Sequence, residues 1–325
     1  MIARRLACSL AVAALTFTSA FAQSWPERPV TMIVPFAAGS ASDTVGRILS
    51  ARLGDILGQQ VVVENMGGAG GTIGTGRAAR ATPDGYQLIL GGIDTFAMSK
   101  ALYKKLPYDP VADFVPVALV AEQPIVLLVR KDLPVKDLKE FIAYGKANPG
   151  KLQYGSAGVG SGSHLACAQL FAAAGIEGAH VPYRGSAPAM QDVIAGRLDG
   201  ICALGAAALP QITSETVRAL AILTKERSPL LPDLASASEQ GLKDFDAPFW
   251  SAFFVPKGTP DAVVKKLNAA ALDLMNTPST AEALKKVGTT FVAVDRRSPE
   301  YLRKFLDSEI AKWATVIKAS GVTLD

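Results

Sequence analysis

The sequence predicts two α/β lobes joined by two crossover strands, and three observations support this prediction. The chain has 325 residues, more than the roughly 250–300 at which a single core usually stops growing. Apolar, β-branched runs alternate with helical patterns in two separate series, as in βαβ units. One extended apolar stretch, residues 115–130, lies between the two series, and another, residues 249–256, follows the second series. We therefore expect each lobe to be a mostly parallel sheet flanked by helices.

The N-terminus has the pattern of a secretory signal peptide. Arg4 and Arg5 supply the positive start, residues 6–17 supply the apolar stretch, and the small-residue cleavage pattern ends at Ala22. We expect cleavage near Ala22 and a mature protein of about 303 residues, 325 minus 22, in the periplasm.

The predicted elements follow the chain in order. The first series consists of a strand at 30–35, a helix at 44–57, a strand at 60–64, a helix at 74–81 and a strand at 87–91. The second consists of a strand at 153–155, a helix at 163–174, a strand at 179–183, a helix at 188–195 and a strand at 199–203. These series predict a lobe 1 built from residues 23–124 and 250–325 and a lobe 2 built from residues 125–249. A C-terminal helix is expected from the N-cap Ser298 to a stop at Gly321.

Composition and charge exclude several classes of function. Removing the two signal arginines leaves 31 Lys and Arg (33 minus 2) against 29 Asp and Glu, with no block of like charge. No footprint for nucleic acid or a membrane surface is therefore expected. His164 and His180 are the only histidines, and they do not form a metal-ligand cluster. We expect no metal, no cofactor and no catalytic residue.

The cysteines leave one question open. Cys8 lies in the signal, so Cys167 and Cys202 remain in a compartment where disulfides can form. A chain of this size does not need a disulfide, so buried free thiols are favoured over a bridge. The spacing alone does not settle the choice.

A strand, a turn rich in Gly and Ser, and a helix follow one another once in each predicted lobe. The turns lie at residues 35–43 and 155–164. A helix N-terminus has unpaired N–H groups and partial positive charge, so it can bind an anion that glycines allow to approach. Alternatively, Ser42 and Ser163 are simply N-caps. Because the pattern occurs in both lobes, we favour two loops that hold one carboxylate from opposite sides.

A third junction of this kind, Gly185-Ser186, precedes the helix at 188–195. Ser186 either caps that helix or lines the same cleft. The candidate ligand-binding residues are Gly39, Ser40, Ala41, Ser42, Asp43, Thr95, Ser156, Ala157, Gly158, Ser161, Ser163, His164, Gly185, Ser186 and Ala203.

Other glycine patterns do not support a nucleotide cofactor. The run at 67–71 lacks the Lys-Ser/Thr of a phosphate loop, and the run at 74–79 does not directly follow a strand. An exported hydrolase is the main rival function, and it would need a reactive side chain with a positioned base. Ser163 beside His164 is too generic a pattern to predict one.

Short segments spread over nearly the whole mature chain form a recognisable series. They are Trp25-Pro26, Val34-Pro35-Phe36-Ala37-Ala38-Gly39 with Asp43, Val63-Glu64-Asn65, Pro83-Asp84-Gly85-Tyr86, Leu102-Tyr103-Lys104-Lys105-Leu106-Pro107-Tyr108-Asp109-Pro110, Tyr154-Gly155-Ser156-Ala157-Gly158, Ser163-His164-Leu165, His180-Val181-Pro182-Tyr183-Arg184-Gly185 and Trp250 with Pro256-Lys257-Gly258-Thr259-Pro260. In content and order this series resembles the Bug family, the periplasmic solute receptors of tripartite tricarboxylate transporters.

The resemblance implies a two-lobed periplasmic binding protein (Venus flytrap) fold without enzymatic activity. It also implies that the two Gly- and Ser-rich loops grip a ligand carboxylate, and that the membrane subunits of a tripartite tricarboxylate transporter receive the ligand. A sensor that presents its ligand to a membrane signalling protein is an alternative. A monomer suits the closure of two lobes.

Four positions depart from the usual pattern of these receptors. Ser40 stands where a second glycine is common, Ala203 where many relatives have an acidic residue, Phe96 where histidine is frequent, and Ser251 where a larger side chain is frequent. These departures predict an organic acid, dicarboxylic or with an apolar or aromatic body, rather than an amino acid. Neutral change at positions outside the cleft is the alternative.

Overall fold

The computed structural model describes residues 25–320, so the predicted signal peptide and the predicted helix end at Gly321 lie outside the described residues. The strands are β1 (Val30–Val34), β2 (Val61–Asn65), β3 (Gln87–Gly92), β4 (Phe114–Gln123), β5 (Ile125–Arg130), β6 (Leu152–Ser156), β7 (Gly178–Pro182), β8 (Gly200–Leu204), β9 (Val217–Ile222), β10 (Phe249–Pro256) and β11 (Thr290–Phe291). The helices are α1 (Ala41–Leu57), α2 (Thr72–Ala79), α3 (Ser99–Leu102), α4 (Leu138–Ala147), α5 (Gly162–Ala174), α6 (Ser186–Ile194), α7 (Gly205–Thr213), α8 (Asp261–Met275), α9 (Pro278–Lys286) and α10 (Pro299–Ser320). Short helical turns lie at Ala69–Gly71, Asp94–Met98 and Val294–Arg296.

The strands form two separate sheets, which confirms the predicted two-lobed α/β fold. Lobe one contains the sheet in the order β11-β4-β10-β3-β1-β2, and lobe two contains the sheet in the order β7-β6-β8-β5-β9. Helices α1, α2, α8 and α10 pack on lobe one, and α5, α6 and α7 pack on lobe two. The limits at residues 124/125 and 249/250 stay a proposal, which the assignment of each strand to its sheet supports.

The sheets are mixed, so the expectation of mostly parallel sheets was wrong. In lobe one, β1 runs parallel to β2 and β3, whereas β10 runs antiparallel to β3 and β4. In lobe two, β6 runs parallel to β7 and β8, whereas β5 runs antiparallel to β8 and β9. The parallel strands belong to βαβ units, and the antiparallel pairings arise where the chain enters or leaves a lobe.

The chain crosses between the lobes at two places, and only one crossing is a continuous extended run. Strands β4 and β5 lie in different sheets and are joined by Pro124 alone. The second crossing was placed at residues 249–256, but these residues form β10, which lies wholly in lobe one. The irregular segment 223–248 makes this crossing instead. The two crossings lie side by side, and Leu223 N–H donates to Ile125 O at 2.7 Å between them.

Local capping explains where the C-terminal helix begins. Tyr301 N–H donates to Ser298 Oγ at 3.0 Å, and Pro299 occupies the first position of α10. The predicted N-cap at Ser298 is therefore confirmed. No helix between residues 25 and 320 combines the length and the apolar character needed to cross a membrane. The same residues contain no group of three or more metal-binding side chains.

Cys167 and Cys202 form a disulfide, so the preference for free thiols was wrong. The bond joins α5 to β8 within lobe two, with a Cα–Cα distance of 5.5 Å across 35 positions of sequence. Both residues are fully buried. The fold brings the thiols together because α5 packs directly on β8.

Loss of this disulfide is expected to lower the free energy of unfolding by about 3–4 kcal/mol, because a closed loop of this length restricts the unfolded chain. The double variant Cys167→Ala/Cys202→Ala should unfold at a lower urea concentration than the oxidised protein. Wild-type protein unfolded in dithiothreitol is the control, since it lacks the bond and keeps both sulfur atoms. Equal urea midpoints for oxidised and reduced protein would contradict the expected contribution.

Candidate functional site

The loop that precedes α1 is held by its own side chains. Ser40 is the N-cap of α1, and its Oγ accepts a hydrogen bond from Asp43 N–H at 3.2 Å. The Asp43 carboxylate in turn accepts from Gly39 N–H at 2.8 Å. These two bonds close the turn directly before α1, whose first N–H groups have no acceptor within the helix.

The loop that precedes α5 repeats this arrangement in lobe two. Ser161 is the N-cap of α5, and its Oγ accepts from His164 N–H at 3.4 Å. His164 Nδ1 accepts from Gly160 N–H at 3.1 Å. The sequence Gly-Ser-x-Ser followed by Asp or His therefore gives the same turn in both lobes.

This geometry corrects the alternative interpretation of two serines as N-caps. Ser42 and Ser163 were considered as N-caps, but the caps are Ser40 and Ser161, two residues earlier. Ser42 and Ser163 belong to the first turns of their helices. Ser42 Oγ makes no hydrogen bond with any residue between 25 and 320, whereas Ser163 Oγ accepts from Ala157 N–H at 2.9 Å.

The two loops face one narrow cleft between the lobes. Its volume is about 20 Å³, which is room for about one water molecule. Among the predicted residues it is lined by Ser40, Ala41, Ser42, Ala157, Ser161, Ser163 and Ser186. Phe36, Asp94, Gly162 and Leu204 also line the cleft, and none of these four was predicted.

Asp43 lies behind the cleft and supports the lobe-one loop. Asn65 Nδ2 donates to Asp43 Oδ1 at 2.9 Å, and Arg47 Nε donates to Oδ2 at 3.0 Å. Burial opposes ionisation, but the hydrogen bonds from Arg47, Gly39 N–H and Asn65 outweigh it and lower the pKa of Asp43. Asp43 therefore stays ionised and fixes the loop.

The remaining predicted residues do not line the cleft. Thr95 Oγ1 bonds the backbone of Gly92, and Ser156 Oγ accepts from Gly158 N–H. Gly185 is the residue before α6. Ala203 pairs with Val126 inside the lobe-two core and is fully buried.

The two histidines form a neutral stack behind the lobe-two loop. The His164 and His180 rings lie 3.8 Å apart between centroids, and Ser156 Oγ lies 2.6 Å from His180 Nε2. Burial, together with the neighbouring His180, lowers the pKa of His164 to about 3, and burial lowers the pKa of His180 to about 4. Neither ring is charged at neutral pH, so any positive potential in the cleft comes from the helix N-termini.

The geometry around Ser163 does not resemble that of an activated nucleophile. His164 Nδ1 is occupied as an acceptor from Gly160 N–H, and Ser163 Oγ contacts Ala157 N and Ser161 Oγ. Among the described residues, no histidine bonds Ser163. This pair therefore lacks the base contact that a hydrolase requires.

Each lobe donates a first-turn N–H group to a side chain of the other lobe. In lobe one, Ala41 N–H donates to Ser186 Oγ at 3.3 Å. In lobe two, Gly162 N–H donates to Asp94 Oδ2 at 3.2 Å. These two hydrogen bonds hold the lobes together at the two loops.

Tyr103 makes a third contact between the lobes. Tyr103 Oη lies 2.9 Å from Ala69 O in lobe one and 3.1 Å from Val159 O in lobe two. Gly70 lies beside this contact and packs against the backbone of Val159. The described conformation is therefore closed.

Asp94 is the most informative residue that the sequence analysis missed. It lies two residues after the end of β3 and begins the π-helical turn Asp94–Met98. Ligands of open α/β sheets bind at the carboxyl ends of the strands. An acidic residue near the end of a predicted strand could therefore have been recognised as a candidate site residue.

Comparison with known proteins assigns a family to this arrangement. The family model described as tripartite tricarboxylate transporter family receptor matches residues 45–322. The solved structure of the periplasmic binding protein BugD is 39% identical with a TM-score of 0.89, covering 92% of this chain and 99% of its own.

Two further solved structures contain ligands. MatC from Rhodopseudomonas palustris with bound malate is 38% identical with a TM-score of 0.86, covering 90% of this chain and all of its own (100%). An R. palustris protein with adipate is 33% identical with a TM-score of 0.88, covering 92% of this chain and 99% of its own.

Proposed function

Because the chain belongs to the tripartite tricarboxylate transporter receptor family, we propose that it is a periplasmic solute-binding protein. It captures a small carboxylate between its lobes and delivers it to the membrane subunits of such a transporter. It acts as a monomer, without a cofactor and without turning over its ligand.

One observation carries this proposal: the same loop precedes α1 in lobe one and α5 in lobe two, and both loops face one cleft. Helix N-termini offer N–H donors and partial positive charge to an anion. The residues that line the cleft, all within the described chain, include no Lys or Arg. An anion in this cleft would therefore be bound by backbone N–H groups and Ser hydroxyls and not by a cationic side chain.

Lobe movement provides access to this cleft. The described closed form has room for little more than a water molecule, so a carboxylate binds only when the lobes separate. The crossings at Pro124 and at residues 223–248 are the parts of the chain that join the sheets. Rotation of the lobes about these two segments would open and close the cleft, which is the hinge motion that two-lobed receptors use.

A ligand screen tests the proposal. The processed protein should be stabilised in a thermal-shift assay by at least one member of a panel of mono-, di- and tricarboxylates, aromatic acids and amino acids. Native mass spectrometry of freshly purified protein should identify the same class of molecule. Failure of every carboxylate to stabilise the protein would contradict the proposed function.

Deleting the gene separates transport from the other candidate functions. Uptake of the identified ligand should fall in the deletion strain and recover when the gene is restored. Unchanged uptake with lost induction of a response would favour a sensor. Turnover of the ligand by purified protein would favour an enzyme.

A further inference from the structure

Asp94 places a buried carboxyl group in the cleft. Asp94 is only 2% exposed, and it lines the cleft together with Ser42 of lobe one and Ser163 of lobe two. Oδ1 accepts from Thr95 N–H at 2.9 Å, and Oδ2 accepts from Gly162 N–H at 3.2 Å. Because a carboxylate has about four acceptor positions, acceptor capacity remains for a ligand.

No cation balances this carboxyl group within residues 25–320. The ion pairs of the described chain do not include Asp94, and its hydrogen-bond donors are neutral backbone N–H groups. Burial raises the pKa of Asp94 to about 6, although the two N–H groups partly oppose this shift. When it is ionised, Asp94 therefore places in the cleft a negative charge without a cationic partner, which is costly.

Asp94 would lie close to the part of the ligand that is next to its bound carboxylate. Gly162 N–H, which Asp94 occupies, is adjacent in the chain to Ser163 N–H, which has no acceptor within its own helix. A ligand carboxylate that binds at Ser163 would lie beside Asp94. Two carboxylates at this distance repel each other unless a donor lies between them.

We propose that Asp94 selects ligands that have a hydrogen-bond donor, a protonated amine or a hydroxyl, on the carbon next to the bound carboxylate. This inference rests on the proposed carboxylate-binding function and specifies its ligand class. The amine is the stronger partner because its hydrogen bond to a carboxylate is assisted by charge.

Three of the four departures that predicted an amine-free ligand do not bear on this choice. Ala203 lies in the lobe-two core. Phe96 is fully buried in lobe one and stacks on Phe254 at 3.8 Å between ring centroids. Neither these residues nor Ser251 lines the cleft. The acidic group that acts on the ligand is Asp94, supplied by lobe one.

Matched ligands test the inference by isothermal titration calorimetry at pH 7.5. Each set shares one skeleton: succinate, malate and aspartate; glutarate, 2-hydroxyglutarate and glutamate; 3-phenylpropionate, phenyllactate and phenylalanine. In the set that binds best, we expect the amine to bind most tightly, the hydroxyl next and the unsubstituted acid least. The affinity for the amine should exceed the affinity for the unsubstituted acid by at least tenfold.

The variant Asp94→Asn should reduce this ratio to threefold or less, because Asn accepts the Gly162 N–H bond without the charge. Asp94→Ser is the second variant in case Asn does not fold. Asp55→Asn is the matched control, since it removes a carboxylate of lobe one whose side chain is 71% exposed, and it should keep the wild-type ratio.

The outcomes separate the two proposals. An unsubstituted acid that binds as tightly as its amine in wild-type protein would overturn the inference and leave carboxylate binding intact. A ratio that Asp94→Asn leaves unchanged would do the same. No binding by any set, with no hit in the wider screen, would overturn the proposed function itself.

Discussion

Replacing Ser42 with Asp is expected to abolish ligand binding while leaving the fold intact. Ser42 lines the cleft in the first turn of α1, so the new carboxylate would lie where the ligand carboxylate binds. Two like charges about 4 Å apart repel by about 4 kcal/mol at an effective dielectric constant of ~20. This corresponds to a loss of affinity of about a thousandfold.

The fold should tolerate this change because an acidic side chain in the first turn of a helix interacts favourably with the helix dipole. Urea unfolding should show a free energy of unfolding within about 1 kcal/mol of wild type. Calorimetry with the best carboxylate from the screen measures the affinity.

Ser42→Asn is the matched control for size. It adds nearly the same volume without a charge, and we expect a loss of affinity below tenfold. If Asp and Asn weaken binding equally, then bulk rather than charge is responsible, and α1 does not contribute to anion binding.

The second large effect is expected from Gly70→Ala. Gly70 lies in the turn Ala69–Gly71 of lobe one, and an added Cβ would approach Val159 O of lobe two more closely than van der Waals radii allow. The lobes would have to part to relieve this clash, and such overpacking costs about 1–3 kcal/mol. We therefore expect affinity to fall by about fivefold to a hundredfold.

Gly58→Ala is the control because it isolates backbone strain from the clash. Both glycines have left-handed backbones, with φ of 61° at Gly70 and 71° at Gly58, but no atom lies within 4 Å of a Cβ at Gly58. The left-handed backbone should cost each variant about 1–2 kcal/mol of stability. Small-angle scattering should show a larger radius of gyration only for Gly70→Ala, and equal affinities of the two variants would refute the closure contact.

The sequence was sufficient to predict the lobes and the two loops because both depend on local patterns. Alternating apolar runs indicate βαβ units, and Gly with Ser before a helix indicates an exposed N-terminus. The alternative N-caps, Ser42 and Ser163, were wrong by two residues. Ser occurs at both candidate positions in each loop, 40 and 42 in one and 161 and 163 in the other. Local propensity does not distinguish between them.

The other differences between the sequence-based predictions and the structure depend on long-range packing. The antiparallel place of β10 depends on its pairing with β3 and β4, which lie far away in sequence. The disulfide depends on the packing of α5 against β8. Asp94 became a cleft residue only when Gly162 of the other lobe was placed against it, and no sequence pattern links these two positions.

The hydrogen bonds across the cleft also bear on the rate of capture. Ala41, Gly162 and Tyr103 already have partners in the opposite lobe, so the closed form is stabilised by the protein alone. If the solute binds in this cleft as proposed, we expect these bonds to break first, so that association is limited by a unimolecular opening step at high solute concentration. The interlobe hydrogen bonds would then set how often the cleft is open to the surrounding solution, separately from which solute it retains.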